Sequence, residues 1–204
     1  MPVRTLCAAP LLAIALFTPF AHAGDLDLRL VDASGAPVSD AVVTVKPDAG
    51  VPRGPIRFPW GTAMTQANIA FNPKVLIVPV GATVTFPNKD KVRHHVYSFS
   101  KPARFELKLY GRDETRSYLF KTPGAVAVGC NIHDSMSGYI KVVDTPFAAR
   151  SDGQGAARIA AIGAGNATVT IWHPRLRAKD NQVSMRATID GNGTLSRRIA
   201  LTLR

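Results

Sequence analysis

The sequence predicts an all-β protein, and three features of the chain point that way. Short runs rich in β-branched and aromatic residues recur along it, and several of them alternate apolar with polar side chains. Glycine and proline separate these runs, as turn residues do between the strands of a sandwich or barrel. No segment after residue 23 has the 3.6-residue apolar period of an amphipathic helix.

The predicted strands fall into three series along the chain. The first holds residues 25–30 and 41–45, and a Pro- and Gly-rich segment at 46–61 follows it as a linker or irregular crossover. The second series has seven short runs, at residues 75–80, 83–86, 94–99, 105–110, 118–121, 125–128 and 139–143. The third series follows Pro146 and comprises residues 156–160, 167–172, 182–189 and 196–203.

Residues 1–23 have the organisation of a cleaved signal peptide. Arg4 supplies the positive n-region, residues 11–17 form the apolar core, and the small-x-small sequence at 21–23 fits a signal-peptidase site. The apolar core is too short to stay in a bilayer as a spanning helix. The segment therefore predicts export to the periplasm, with no stable membrane span.

The charge of the chain limits the partners it can have. There are 25 basic and 14 acidic side chains, giving a formal net charge of +11. The basic residues are spread along the sequence, without the Lys/Arg block or the aromatic-basic interleaving of a nucleic-acid surface. The charge favours an acidic protein or an anionic membrane surface as partner and argues against DNA.

Cys130 is the only cysteine that the predicted mature chain keeps, because Cys7 lies in the signal peptide. An unpaired thiol in an oxidising compartment is a liability unless something occupies it. A soft metal is the occupant that the neighbouring residues favour over a buried, inert cysteine.

The residues around Cys130 form a list of metal ligands. His133 and Met136 follow it at intervals of three, and His94 and His95 offer an imidazole upstream. Two His and one Cys, with a weak axial Met, are the ligands of a blue-copper site, whereas structural zinc usually takes four strong ligands. Strand alternation lets only one of the two adjacent histidines face Cys130.

Two motifs in the middle of the chain match a known family. Residues 81–88 read GATVTFPN and residues 124–136 read GAVAVGCNIHDSM, with His94 between them. Over residues 62–144 the chain resembles the cupredoxins, most of all amicyanin and plastocyanin. The resemblance implies a Greek-key β-sandwich that binds one copper ion as Cu(I) or Cu(II). The whole chain is also similar to periplasmic proteins of the methylamine utilisation type, in which a cupredoxin follows a short β segment.

The resemblance also implies which residues bind the metal. In cupredoxins the first histidine comes six residues after a strand-ending Asn, and Asn88 and His94 keep that interval. His94 is therefore the predicted first ligand, with His95 as the alternative and otherwise an outward-facing residue. The other implied ligands are a thiolate, a second imidazole and a long axial thioether, from Cys130, His133 and Met136.

Asn88 is expected to position the ligands through hydrogen bonds without binding the metal itself. Its amide would bond across to the Cys130 loop and fix the two strands relative to each other. The chain departs from the family pattern where Arg93 and Ile132 replace common prolines and where His95 replaces a common Asn.

The two ends of the mature chain resemble parts of a second module. Residues 31–45 are similar to the opening strands of the carboxypeptidase-regulatory-like sandwich, and residues 149–172 to its later half. Neither part has enough strands to bury a sheet alone. We therefore expect residues 24–60 and 146–204 to form one small sandwich, with a cupredoxin domain inserted at residues 61–145.

These patterns predict an electron carrier. A saturated single copper without paired carboxylates or a nucleophile and base offers no place for a substrate, so no enzyme is expected. The alternative is a periplasmic copper carrier or store. The expected partner is a redox protein such as a c-type cytochrome or a periplasmic dehydrogenase, acidic because Lys89, Lys91 and Arg93 would form a basic rim beside the site.

Overall fold

The computed structural model describes residues 23–204, and the all-β fold class is confirmed. The one helical segment in this range is a short 3-10 turn at Lys179–Asn181. In chain order the strands are β1 (Ala23–Asp32), β2 (Val42–Pro47), β3 (Thr65–Ala67), β4 (Ala70–Asn72), β5 (Val75–Pro79), β6 (Ala82–Pro87), β7 (His94–Ser100), β8 (Ala103–Tyr110), β9 (Thr115–Phe120), β10 (Gly124–Gly129), β11 (Ser137–Val143), β12 (Ala148–Arg150), β13 (Ala156–Gly163), β14 (Gly165–Trp172), β15 (Gln182–Ile189) and β16 (Thr194–Leu201).

The first and last strands of the chain pair with each other in two sheets. One sheet has the order β13-β1-β16 and the other the order β12-β2-β14-β15. Strand β1 runs antiparallel to β13 and parallel to β16. In the second sheet Val43 pairs with Ile171, and Val45 with Val169, across more than a hundred residues of chain.

These two sheets share one hydrophobic core. Along β1 the buried residues Leu26, Leu28 and Leu30 alternate with more exposed ones, which is the pattern of a strand with one face on a core. Val43, Ile159, Ile171, Ile189 and Leu201 add side chains from β2, β13, β14, β15 and β16 to the same core.

The strands of the middle segment build a second sandwich-like body. A five-stranded sheet has the order β5-β11-β10-β7-β8, and the pairs β6-β9 and β3-β4 complete the segment. Only β5 and β11 are parallel in the five-stranded sheet. Its core contains Phe86, Phe120, Ile140, Cys130 and Met136 among other buried residues.

A third, smaller cluster joins the two bodies. Val75, Ile77 and Val143 from the middle segment pack with Val42 and Trp172 from the flanking strands. Above it, the Nζ atom of Lys141 lies 5.4 Å from the centroid of the Trp172 ring. The division into independently folding domains at residues 61 and 146 stays a prediction.

Three strands were not predicted from the sequence. They are β3, β4 and β12, each of three residues. Runs of that length have no alternation to recognise, and their place is set by the strands they pair with. The predicted signal peptide lies outside the described residues apart from Ala23, which begins β1. Within the described range, no helix is long and apolar enough to cross a membrane.

Candidate metal centre

Cys130 and Met136 are the two ends of a tight loop between paired strands. Strand β10 ends at Gly129, β11 begins at Ser137, and these two residues pair with each other. Across the loop, the Cys130 N–H donates to the Met136 carbonyl (3.2 Å), and the Met136 N–H donates to the His133 carbonyl (2.9 Å). The strand ends and these bonds hold all three residues of the Cys-x-x-His-x-x-Met motif in one closed turn.

Three donor atoms converge at this loop. The Cys130 Sγ lies 3.5 Å from the Nδ1 of His133 and 3.9 Å from the Nδ1 of His94. One donor atom from each residue can be chosen so that all three lie within 4.8 Å of one another. The two imidazole rings are tilted by 59°, with centroids 4.9 Å apart. His94 and Cys130 are buried, and His133 is partly exposed.

The adjacent histidines His94 and His95 lie in different surroundings. His94, the first residue of β7, contacts the Cys130 sulfur through its ring. His95 reaches the same sulfur only through its backbone N–H, at 3.4 Å, while its Nε2 bonds the Glu106 carboxylate at 2.8 Å. The expectation that His95 faces outward is wrong, because its side chain is only 6% exposed.

Asp90 lies behind His94 on the side away from Cys130. Its carboxylate is 2.8 Å from the His94 Nε2 and accepts hydrogen bonds from the backbone N–H groups of Asn68 (2.6 Å) and Ile69 (2.9 Å). Burial raises the pKa of Asp90, but the hydrogen bonds from Ile69, His94 and Asn68 outweigh it, so that the pKa lies below its usual value.

The role expected for Asn88 needs a correction. Its side-chain N–H groups donate to the carbonyls of Val92 (2.9 Å) and Tyr110 (3.2 Å), and its Oδ1 accepts from the Asp90 N–H (2.9 Å). These bonds shape the turn before His94 and tie it to β8, not to the Cys130 loop. An Asn two residues before an Asp readily forms such a local turn, which competes with a longer-range bond.

Met136 is buried beside Cys130 in the middle core, with 2% of its surface exposed. Of the other described methionines, Met64 is a buried member of the same core, and Met185 packs against the flanking core. His173 also lies apart from the centre, where its Nδ1 accepts a hydrogen bond from the Arg175 N–H. Cys130 is a free cysteine, so its sulfur is available as a donor atom.

The donor set fits copper. One sulfur and two imidazole nitrogens make a three-donor set with a buried thioether residue nearby, and thiolate and imidazole are ligands that copper favours. A structural zinc site would need a fourth strong donor, and no further His, Cys, Asp or Glu joins the cluster in the described part of the chain.

Sequence reasoning missed the two carboxylates that hold the histidines. Asp90 precedes His94 by four residues in an irregular loop, and Glu106 meets His95 only because β7 and β8 pair. Strand pairing could have indicated Glu106 had the β7-β8 register been known. No spacing rule indicated Asp90.

The fold and centre together define a β-sheet protein with a cluster of two His and one Cys, of which His94 and Cys130 are buried. Solved structures similar to it include copper proteins. A copper-containing nitrite reductase from Thermus scotoductus is 30% identical over 43% of this chain, with a TM-score of 0.39. The purple cupredoxin from Nitrosopumilus maritimus is 23% identical over 40% of this chain and 96% of its own, with a TM-score of 0.36. A reduced amicyanin variant is 23% identical over 51% of this chain and 99% of its own, with a TM-score of 0.38.

The chain spans about a quarter of the nitrite reductase, 23% of its length. No protein-family model matches the sequence, and no curated protein matches it significantly.

Proposed function

We propose that the protein binds one copper ion through His94, Cys130 and His133, with Met136 as a weak axial ligand, and carries single electrons. The observation that supports this most is the convergence of the Cys130 sulfur and one ring nitrogen from each of the two histidines within 4.8 Å at a closed loop. Bound copper would supply the one-electron chemistry of the Cu(II)/Cu(I) couple. The Met136 thioether would tune the potential and add little to binding.

The surroundings of the donors suit an electron carrier. Cys130 is buried at the end of β10, so that its sulfur is shielded from water and external oxidants. His133 is partly exposed beside Ile132, an exposed apolar residue of the same loop. Its ring is the proposed exit for the electron, and the exposed Ile132 side chain would contact a redox partner.

Export to the periplasm and an acidic redox partner complete the proposal. The basic residues Lys91 and Arg93 are exposed on the turn that leads to His94. Lys89 lies on the same turn, but its Nζ is 3.1 Å from the Asp113 carboxylate, which offsets part of its charge. A c-type cytochrome or periplasmic dehydrogenase with an acidic surface fits this rim.

The flanking strands are proposed to form a separate domain that holds the inserted middle segment. Residues 24–60 and 146–204 would form one carboxypeptidase-regulatory-like sandwich, into which residues 61–145 are inserted. The pairing of β2 with β14, and of β1 with β13 and β16, supports this arrangement. Domain insertion requires insertion points that are close in space, as strand ends of a sandwich are.

The test separates electron transfer from copper transport or storage. Copper-loaded protein is cycled between oxidised and reduced forms by potentiometry, and a Cu(I) chelator is added to the reduced form. We expect one reversible one-electron transition in the titration and retention of copper in both oxidation states. Loss of copper to the chelator on reduction would instead support the carrier or storage function. Met136→Leu should shift the potential and keep the copper, with His95→Ala as a control that changes little.

A further inference from the structure

Two neighbouring histidines of β7 are each bonded to a carboxylate at the same distance. His94 Nε2 lies 2.8 Å from Asp90, and His95 Nε2 lies 2.8 Å from Glu106. The similarity ends there, since only the His94 ring also faces the Cys130 sulfur. The two carboxylates are therefore a natural pair for comparison, one behind a donor residue and one behind a histidine outside the cluster.

The Asp90 contact favours one of the two tautomers of a neutral His94 ring. A carboxylate only accepts hydrogen bonds, so in a neutral His94 ring this contact favours the tautomer in which Nε2 carries the proton and donates. The lone pair of the neutral ring then lies on Nδ1, which is the atom that faces the Cys130 sulfur. This is the tautomer that a metal needs at that position.

Asp90 is itself held in place from three sides. The N–H groups of Asn68 and Ile69, at the turn between β3 and β4, donate to its two carboxylate oxygens. Its own N–H donates to the Asn88 side chain. Its side chain is 15% exposed, compared with 59% for Glu106. The Asp90 carboxylate thus accepts more hydrogen bonds and is more shielded from solvent than the Glu106 carboxylate.

The turn that anchors Asp90 has an unusual backbone. Asn68 and Ile69 have φ angles of +56° and +55°, a region that a β-branched residue such as Ile69 rarely adopts. Strain of this kind persists where the surrounding contacts fix the conformation. Here the contact that receives both N–H groups is the Asp90 carboxylate, which links the hairpin tip to His94.

We propose that Asp90 is a positioning residue that fixes the tautomer and orientation of His94 and places a negative charge behind it. This inference rests on the proposed function, because its consequence concerns a bound copper ion. The charge favours Cu(II) over Cu(I) and so lowers the reduction potential. No equivalent effect is expected from Glu106, whose histidine presents only its backbone to the sulfur.

The experiment compares Asp90→Asn with the matched control Glu106→Gln, each of which removes one charge with little change in shape. Three properties are measured: the 15N shifts of the histidine rings without metal, the Cu(II) affinity and the reduction potential. We expect Asp90→Asn to give a mixed His94 tautomer, to weaken Cu(II) binding by about 10- to 100-fold and to raise the potential. Glu106→Gln should leave all three at His94 unchanged. Asp90→Glu, which keeps the charge, should partly restore the potential.

The outcomes separate this inference from the proposed function. If wild-type protein binds copper and Asp90→Asn behaves like Glu106→Gln, the role of Asp90 is refuted while copper binding stands. If wild-type protein does not bind copper, the proposed function fails, and the metal-free 15N spectrum still tests the tautomer. A neutral His94 ring whose single proton lies on Nδ1 in wild-type protein overturns the inference even if the variants do not fold.

Discussion

The two larger hydrophobic cores in the described part of the chain differ in the residues at their edges. The middle core ends in a loop where three donor atoms converge, and it contains Cys130 and Met136 themselves. The flanking core consists mostly of aliphatic side chains, with Phe147 among them, and the Nδ1 atom of the nearby His173 is hydrogen-bonded to the backbone N–H of Arg175. The candidate donors therefore lie at the edge of the middle core, and no second group of three such donors is found in the described part of the chain.

The strongest test of this contrast is to separate the two parts. Residues 61–145 alone should bind one copper ion, whereas residues 24–60 joined to 146–204 by a short Gly/Ser linker should fold and bind none. Copper titration and circular dichroism measure both. Separation exposes Val75 and Ile77 of the joining cluster, so Thr at both positions should improve the solubility of the middle part.

A disordered flanking part would contradict the split arrangement if removing residues 24–60 left the rest of the chain intact. The N-terminal strands would then belong to the middle segment or to no domain, despite the pairing of β2 with β14.

A matched pair of core substitutions distinguishes one cooperative unit from two. Ile140 lies in the middle core and Ile171 in the flanking core, and both are fully buried. Each change to Ala should lower the free energy of unfolding of its own part by about 2–5 kcal/mol. Copper should raise the transition that Ile140→Ala lowers and leave the Ile171→Ala transition unmoved, as followed by calorimetry. A single shared transition in both variants would mean that the cores do not unfold separately.

The basic rim should affect association with an acidic redox partner. Replacing Lys89, Lys91 and Arg93 by Glu should slow the association rate by roughly 10-fold at low salt, with the difference shrinking as salt screens the charges. Stopped-flow kinetics over a salt series measure this. The control carries the same charge change on the flanking body, at Lys179, Arg197 and Arg198. Equal slowing by both sets would show that net charge, and not the rim, governs the encounter.

The smallest expected effect concerns Lys141, at the junction of the two bodies. Burial lowers the pKa of Lys141, although Asp144 and Asp180 partly oppose this. The unfolded chain then binds more protons than the folded one between the lowered pKa and 10.5, so stability rises with pH across that window. Lys141→Met should add about 1 kcal/mol or less at neutral pH and remove this slope, as measured by urea unfolding at several pH values. An unchanged slope would mean that Lys141 is not its source.

The positions of most strands along the chain could be predicted from the sequence, because the longer strands alternate apolar with polar residues or are rich in β-branched residues. The runs at 75–80 and 139–143, for example, correspond to β5 and β11. The short strands β3 and β4 could not be predicted, since three residues carry no period. Yet the backbone N–H groups of their turn donate to the Asp90 carboxylate. Because the two strands could not be recognised in the sequence, this contact next to the centre could not be predicted either.

The candidate donors were predictable because Cys130, His133 and Met136 form a local motif, and residues a few positions apart in a tight loop stay close together in the folded protein. What the sequence could not give was the set of partners that reach the histidines from other strands. Asn88 was expected to bond to the Cys130 loop, but its own turn satisfies its amide. Glu106 contacts His95 because of the β7-β8 register, which no spacing along the chain specifies.

The most direct test of the proposed copper centre is the visible spectrum of the copper-loaded mature protein beside that of Cys130→Ser. A thiolate bonded to Cu(II) should give an intense blue band in the wild-type protein. The band should vanish in Cys130→Ser and persist in His95→Ala, because His95 presents only its backbone to the sulfur. A blue band that survives Cys130→Ser, or a copper-loaded wild-type protein without one, would contradict the assignment of Cys130 as the copper ligand.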